Sequence, residues 1–191
     1  MAQYKKAVEY ILNKLENDLD PHLYYHGLHH TKDVLSSVEE IAIKEGVSEE
    51  ELSLLKVAAA YHDCGFLVVY KNHEEAGCGI AYEALPKFDF TTEQMDTVFG
   101  MIKATKVPQS PKNKLEEILC DADLDYLGRG DFEKISGSLY EEFKYWNIVT
   151  DHKTWMQIQV NFLENHVYWT EFSKKNRTQE KLEKLEELKS H

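Results

Sequence analysis

Apolar residues recur along almost the whole chain at the three- and four-residue spacing of a helix face. Nowhere do they alternate as in a strand for more than about four residues. Val8, Ile11, Leu12, Leu15 and Leu19 form the first face, stopped by Pro21. Val34, Leu35, Val38, Ile41 and Ala42 form a second, ended near Gly46. Ser48 and Glu51 have capping-box spacing and open a third helix through Leu52, Leu55, Ala58, Ala59 and Tyr61. Val57–Tyr61 leave that helix no polar side, so it is expected at the centre of the core. Asn72 with Glu75 caps a fourth helix, which Pro86 ends, and Thr91 with Gln94 caps a fifth with Met95, Val98, Phe99 and Ile102 inward. Ser110-Pro111, as N-cap and first helical residue, predicts a sixth carrying Leu115, Ile118 and Leu119. Asp131 begins a seventh with Phe132, Ile135, Leu139, Phe143 and Trp146, and Asp151 an eighth with Trp155, Ile158, Phe162 and Leu163. Gln179–Ser190 reads as a charged amphipathic tail helix with Leu182, Leu185 and Leu188 inward. Phe66–Tyr70, the one β-branched and aromatic patch, is a loop or a short hairpin. The pattern predicts an all-α fold. With no internal repeat and no low-complexity linker, residues 1–191 read as one domain.

Charge narrows the function. The chain holds 34 Asp and Glu against 22 Lys and Arg, a net charge of −12. That balance argues against a binder of long nucleic acid, which needs a basic face, and against docking on anionic membrane. A small basic pocket inside an acidic shell is compatible with it, so small anions remain open. Cys64, Cys78 and Cys120 are odd in number and include no CxxC pair, which predicts a reducing compartment rather than a disulfide scaffold. The start of the chain is amphipathic, unlike a signal peptide, and its apolar runs fall short of the ~20 residues that span a bilayer. A cytoplasmic protein, monomeric or homodimeric, is expected.

Three clusters can carry chemistry. His22, His26, His29 and His30 crowd into nine positions, as a polar interhelical loop or as metal ligands. His62-Asp63 closes the apolar helix, where a carboxylate faces the negative end of the helix dipole and needs a compensating charge. Asp121, Asp123 and Asp125 alternate with Ala122, Leu124 and Tyr126, and Asp121 and Asp123 cannot both lie on the apolar side. One of them must point into something polar. Helices can aim such imidazole and carboxylate groups at one point in a bundle core. The mixed donor set suits Mn, Fe, Co, Ni or Zn and, less well, Mg.

With these elements in order, the sequence resembles the HD superfamily of metal-dependent phosphohydrolases, whose motif is His…His-Asp…Asp on a helical bundle. Tyr25-His26-Gly27-Leu28-His29-His30-Thr31-Lys32-Asp33-Val34 resembles the family's Tyr-His-Asn-x-x-His-Thr-x-x-Val, with Gly27 in place of Asn. Ala58-Ala59-Ala60-Tyr61-His62-Asp63-Cys64-Gly65 resembles its Ala-x-Leu-x-His-Asp-Ile-Gly, and Asp121-Ala122-Asp123 its terminal Asp motif. The likeness spans residues 23–130, leaving 131–191 as C-terminal helices. It implies an HD-type bundle with the metal site in its core, and one divalent ion held by His30, His62, Asp63 and Asp123, with Asp121 the alternative last ligand. A single ion is implied because only His73 lies between Asp63 and Asp123, where two-metal members add histidines.

The resemblance further implies hydrolysis of a nucleotide or another small phosphate ester. In that role Asp63, His73 and Glu74 would serve the chemistry. Glu74, like Glu75, is also explained as a carboxylate at a helix N-terminus. His26 would lie beside the ligands, and Arg129 and Lys103 would meet the phosphate, although Arg129 equally suits a salt bridge to Asp131 or Glu133. Two other readings stand beside the enzyme: a metal- and nucleotide-binding regulatory module without turnover, and a di-iron oxygenase of the same superfamily.

Overall fold

Helix caps written into the sequence set most of the architecture. The computed structural model describes residues 2–190, so His191 lies outside the described residues. Within them the chain runs α1 (Tyr4–Asp18), α2 (Leu28–Glu45), α3 (Glu49–Tyr61), α4 (His73–Ala84), α5 (Thr92–Ala104), α6 (Lys114–Asp123), α7 (Phe132–Tyr145), α8 (His152–Asn165) and α9 (Glu171–Lys189). Short 3-10 turns occupy Cys64–Leu67, Leu85–Phe88 and Asp125–Gly128, and no strand occurs among the described residues. Ser48 and Glu51 cap α3 reciprocally, and Thr91 and Gln94 do the same for α5. Gly46 ends α2 in the left-handed region (φ 68°), where glycine pays no steric penalty.

The core forms around α3, whose Leu55 and Val57 to Tyr61 are fully buried. α1, α2, α5 and α6 pack on it and contribute Ile11, Val34, Val38, Ile41, Met101, Ile102 and Leu119. Directly after α3 the chain bends through the 64–67 turn and lies against α4. At Gly65 an added Cβ would sit 1.9 Å from the His73 carbonyl oxygen, so only glycine lets the two segments touch. That approach carries His73 back toward His62-Asp63. A second, smaller apolar cluster joins Tyr25, Leu124, Tyr126, Leu127, Phe132, Leu163 and Leu185 beneath α7, α8 and α9.

Several boundaries differ from the sequence expectation. α6 starts at Lys114, not after Ser110-Pro111. Asn113 Oδ1 accepts from the Leu115 and Glu116 N–H groups, while the Glu116 carboxylate accepts from Lys112 N–H and Asn113 Nδ2. The reciprocal Asn-x-x-Glu cap outcompetes the Ser-Pro start. Asn72 does precede α4 but caps nothing: it is left-handed (φ 58°), and its Oδ1 accepts from Lys106 Nζ at 3.0 Å. α9 begins eight residues before Gln179, at Glu171, with Thr170 Oγ1 accepting from Ser173 N–H. Its inward face includes Ser173 and Lys181, both buried, which hides the helical period from an apolar count. Trp146, expected inward on α7, sits at the helix end, 36% exposed and tilted on Tyr70. Phe66–Tyr70 is neither hairpin nor strand, but the end of the 3-10 turn and the loop that follows. The three cysteines are free and buried, and no helix among the described residues is long and apolar enough to cross a membrane.

Candidate metal centre

α2, α3 and α6 each deliver one donor to the same point. On α2, Val34, Val38 and Ile41 fix which side is buried, and His30 falls on that side one turn before Val34. His29, about 100° around the helix, is exposed. His62 stands at the C-terminus of α3, where the last carbonyls lack helical partners, and its Nδ1 donates to the Ala59 carbonyl at 2.8 Å. That bond fixes the ring and makes Nε2 the nitrogen that faces the site. Asp123 is the last residue of α6.

The donor atoms of His30, His62 and Asp123 lie within 4.8 Å of one another. His30 Nε2 is 3.1 Å from Asp123 Oδ1 and 3.4 Å from His62 Nε2. Asp63 falls outside that tightest group, yet its Oδ2 is 3.1 Å from His62 Nε2 and 3.5 Å from His30 Nε2. Asp63 Oδ2 is buried and has no hydrogen-bond partner. Two imidazole nitrogens and two carboxylates thus face one another out of water, an arrangement that needs positive charge at its centre. Without an ion, protons supply it. Burial opposes charge on His62, but Asp63 and Asp123 outweigh burial and hold the imidazole well above its usual range. Burial likewise pushes the Asp123 carboxyl up, while His30 and His62 overcome that and pull it down to about 2. The orphaned Asp63 oxygen and the mixed nitrogen and oxygen donors fit a divalent ion. His30→Ala is expected to strip metal from the purified protein, whereas His29→Ala leaves metal content unchanged. Elemental analysis of the two variants checks this, and the reverse order would show that α2 presents its other histidine.

The other sequence candidates divide. His73 comes close, its Nε2 3.3 Å from Asp63 Oδ1 and its ring stacked on Phe66. Glu74 beside it is buried, with Oε2 unpartnered. His26 also stacks on Phe66 and gives Nδ1–H to Glu142. Asp121 goes elsewhere. Fully buried, it accepts from the Trp169 and Thr170 N–H groups and from Thr170 Oγ1, tying down the start of α9. Arg129 and Lys103 do not reach the site. The Arg129 guanidinium is spent on Asp33, Asp125 and Asp131, and Lys103 pairs with Glu75 on the surface.

A cavity of about 810 Å³ opens beside the cluster and is lined by Asp63, Asp123, His26 and His73. Its cations are Lys71 and Lys106, residues that sequence reasoning missed. Lys106 reaches Asn72, the neighbour of His73, and Lys71 makes no ion pair among the described residues. Glu142 was missed as well. It is fully buried and accepts from Tyr25 N–H at 2.8 Å, His26 N–H at 3.0 Å, His26 Nδ1–H, and Tyr70 O–H at 2.8 Å.

A family model described as an HD domain matches residues 27–125. Two solved structures resemble the chain over 97% of its length. One, described as a predicted HD superfamily hydrolase from an uncultured Thermotogales bacterium, is 22% identical and covered over 89% of its own length, with a TM-score of 0.63. The other, a structural-genomics target from Lactobacillus plantarum, is 19% identical and covered over 96%, with a TM-score of 0.67. At such identities the likeness is one of fold. No curated protein matches the sequence.

Proposed function

Because the chain belongs to the HD domain family, we propose that it is a divalent-metal-dependent phosphohydrolase acting on a nucleotide or another small phosphate ester. The observation that carries this reading is the convergence of the buried His30 and His62 with Asp123 at the cavity edge and the unpartnered Asp63 Oδ2. The description of one structural neighbour as a predicted hydrolase agrees with it. His30, His62, Asp63 and Asp123 are the residues that would hold the ion. When bound, a divalent ion supplies a Lewis acid for a phosphoryl oxygen and lowers the pKa of water to the neutral range.

The chain's own residues do the rest. Lys71 and Lys106 bring positive charge to an otherwise acidic protein and draw the phosphate into the cavity. His73, with Nε2 against Asp63 Oδ1, holds a proton at the cavity wall that the leaving oxygen can take. Burial opposes charge on His73, but Asp63 outweighs it, and Glu74 adds a second carboxylate, its Oε1 3.7 Å from the same Nε2. His26 is fixed by Glu142 and stands at the cavity wall beside His73.

The test is phosphate release from a panel of nucleotides and phosphate esters with Mn²⁺, Co²⁺, Ni²⁺ or Mg²⁺. Turnover that a chelator abolishes and metal restores is expected. Tight nucleotide binding without any release would favour a regulatory module instead. Two irons per chain on metal analysis would point to an oxygenase. In the active protein, Lys71→Ala and Lys106→Ala should each raise KM, with the effect shrinking at high salt as screening weakens the attraction the lysines exert in wild type. Insensitivity to both substitutions would remove the lysines from phosphate binding.

A further inference from the structure

The cavity beside the cluster is much larger than a phosphate group needs. From Asp63, Asp123 and His73 it continues beneath α7 and α8, where Phe143, Trp155, Phe162 and Leu139 form its walls. An ester with a short organic part would leave those aromatic walls against water. A large, flat organic part would cover them, since aromatic faces pack best on other flat rings.

One polar group interrupts that apolar stretch. Gln159 of α8 lines the cavity and is only 8% exposed. Its Nε2 lies 3.7 Å from the Met156 sulfur, and its Oε1 has no hydrogen-bond partner. The orientation of the amide follows, because a thioether accepts weakly and donates nothing, so the NH₂ end faces it. The carbonyl end is then left over, and a buried acceptor without a donor is costly. Gln159 lines the cavity and the terminal torsion of glutamine is broad, so the amide can turn to present Oε1 to a bound molecule.

We propose that Gln159 is a specificity-determining residue that accepts a hydrogen bond from a ring N–H on the organic part of the substrate, which packs against the wall formed by Phe143, Trp155 and Phe162. The substrate class is a phosphate ester of a planar, N–H-bearing ring. This rests on the phosphohydrolase reading for the ester, but the recognition of the ring can be measured without turnover.

A matched pair of fluorogenic esters tests it: 4-methylumbelliferyl phosphate, and the 7-phosphate of 7-hydroxy-4-methyl-2-quinolone, in which N–H replaces the ring oxygen. Hydrolysis of either breaks the bond between phosphorus and the 7-oxygen, places the water oxygen on phosphorus and returns a proton to the 7-oxygen. With the full chain and chelator present, the lactam ester should bind about tenfold tighter, the cost of leaving one buried acceptor unpaired. With metal, the same ratio should appear in KM rather than kcat. In Gln159→Leu the preference should vanish while the coumarin ester still binds, which also shows that the variant is folded. Equal binding of the two esters by wild type, binding of neither, or a preference unchanged in Gln159→Leu would each overturn the proposal. Preferential binding without hydrolysis would uphold it and defeat the phosphohydrolase reading. Hydrolysis without preference would do the opposite.

Discussion

His62→Ala and Asp63→Ala are each expected to leave the purified protein with almost no divalent metal and to lower phosphate-ester turnover on the order of 10³-fold. Both residues sit at the end of α3, where His62 is held by the Ala59 carbonyl and Asp63 Oδ2 has no partner but the site. Both are buried and paired with each other, His62 also with the Ala59 carbonyl and Asp63 with His73, so stability is measured beside metal content. Removing either partner of the buried His62–Asp63 pair leaves the other uncompensated, so the chelated variants should melt several degrees below chelated wild type. Metal should then raise the wild-type Tm by several degrees and leave the variants unmoved. Elemental analysis and melting curves with and without Mn²⁺ check both halves. Full metal content and activity in either variant would remove that residue from the site. A metal-induced rise in Tm that persists in a variant would likewise remove that residue from the site.

The family motif singles out His30 rather than His29, and the apolar phase of α2 gives the physical reason. Once Val34, Val38 and Ile41 face inward, only one of two adjacent histidines can join them. Asp121 against Asp123 was different. Both lie on α6, and the partner that claims Asp121 is the backbone at Trp169 and Thr170, which no local pattern announces. Arg129 was drawn to the site by its nearness in sequence to the Asp motif, but nearness gives no direction, and its three carboxylate partners turn it away. The cavity lysines lie in loops, where neither helical nor strand period places a side chain. Glu142 shows the same limit most clearly. Beside Glu141, on a helix with a charged side, it reads as solvated surface. Yet it is buried against a loop 116 residues away. The α3 centre, the capped helices and the His/Asp elements depend on local rules and could be read. What α7, α8 and α9 contribute depends on long-range pairing, and that part includes the cavity.

Glu142→Ala is the substitution outside the metal cluster with the largest expected effect on stability. It removes one acceptor from four donors and leaves the Tyr25 and His26 N–H groups facing an apolar gap. Losing one partner of a buried charged network costs about 3 kcal/mol or more, which for a chain of this length lowers Tm by about 10 °C. Metal content should persist, because His26 is placed beside the cluster rather than in it, while turnover falls as His26 loses its fixed orientation. Acid titration adds a signature that mere packing lacks. Burial pushes the Glu142 carboxyl up, but the hydrogen bonds from His26 and Tyr25 outweigh burial and hold it below the ordinary glutamate value. A depressed folded pKa stabilises the protein fully above the unfolded value of about 4.3. That contribution is lost as pH falls through the lower folded value. The stability gap between wild type and Glu142→Gln should therefore be widest near neutrality and narrow below about pH 4. Denaturant unfolding at pH 7 and at successive acidic pH values measures the gap directly. A gap that stays constant or widens on acidification would mean that the carboxylate charge does not hold α7 to the His26 loop.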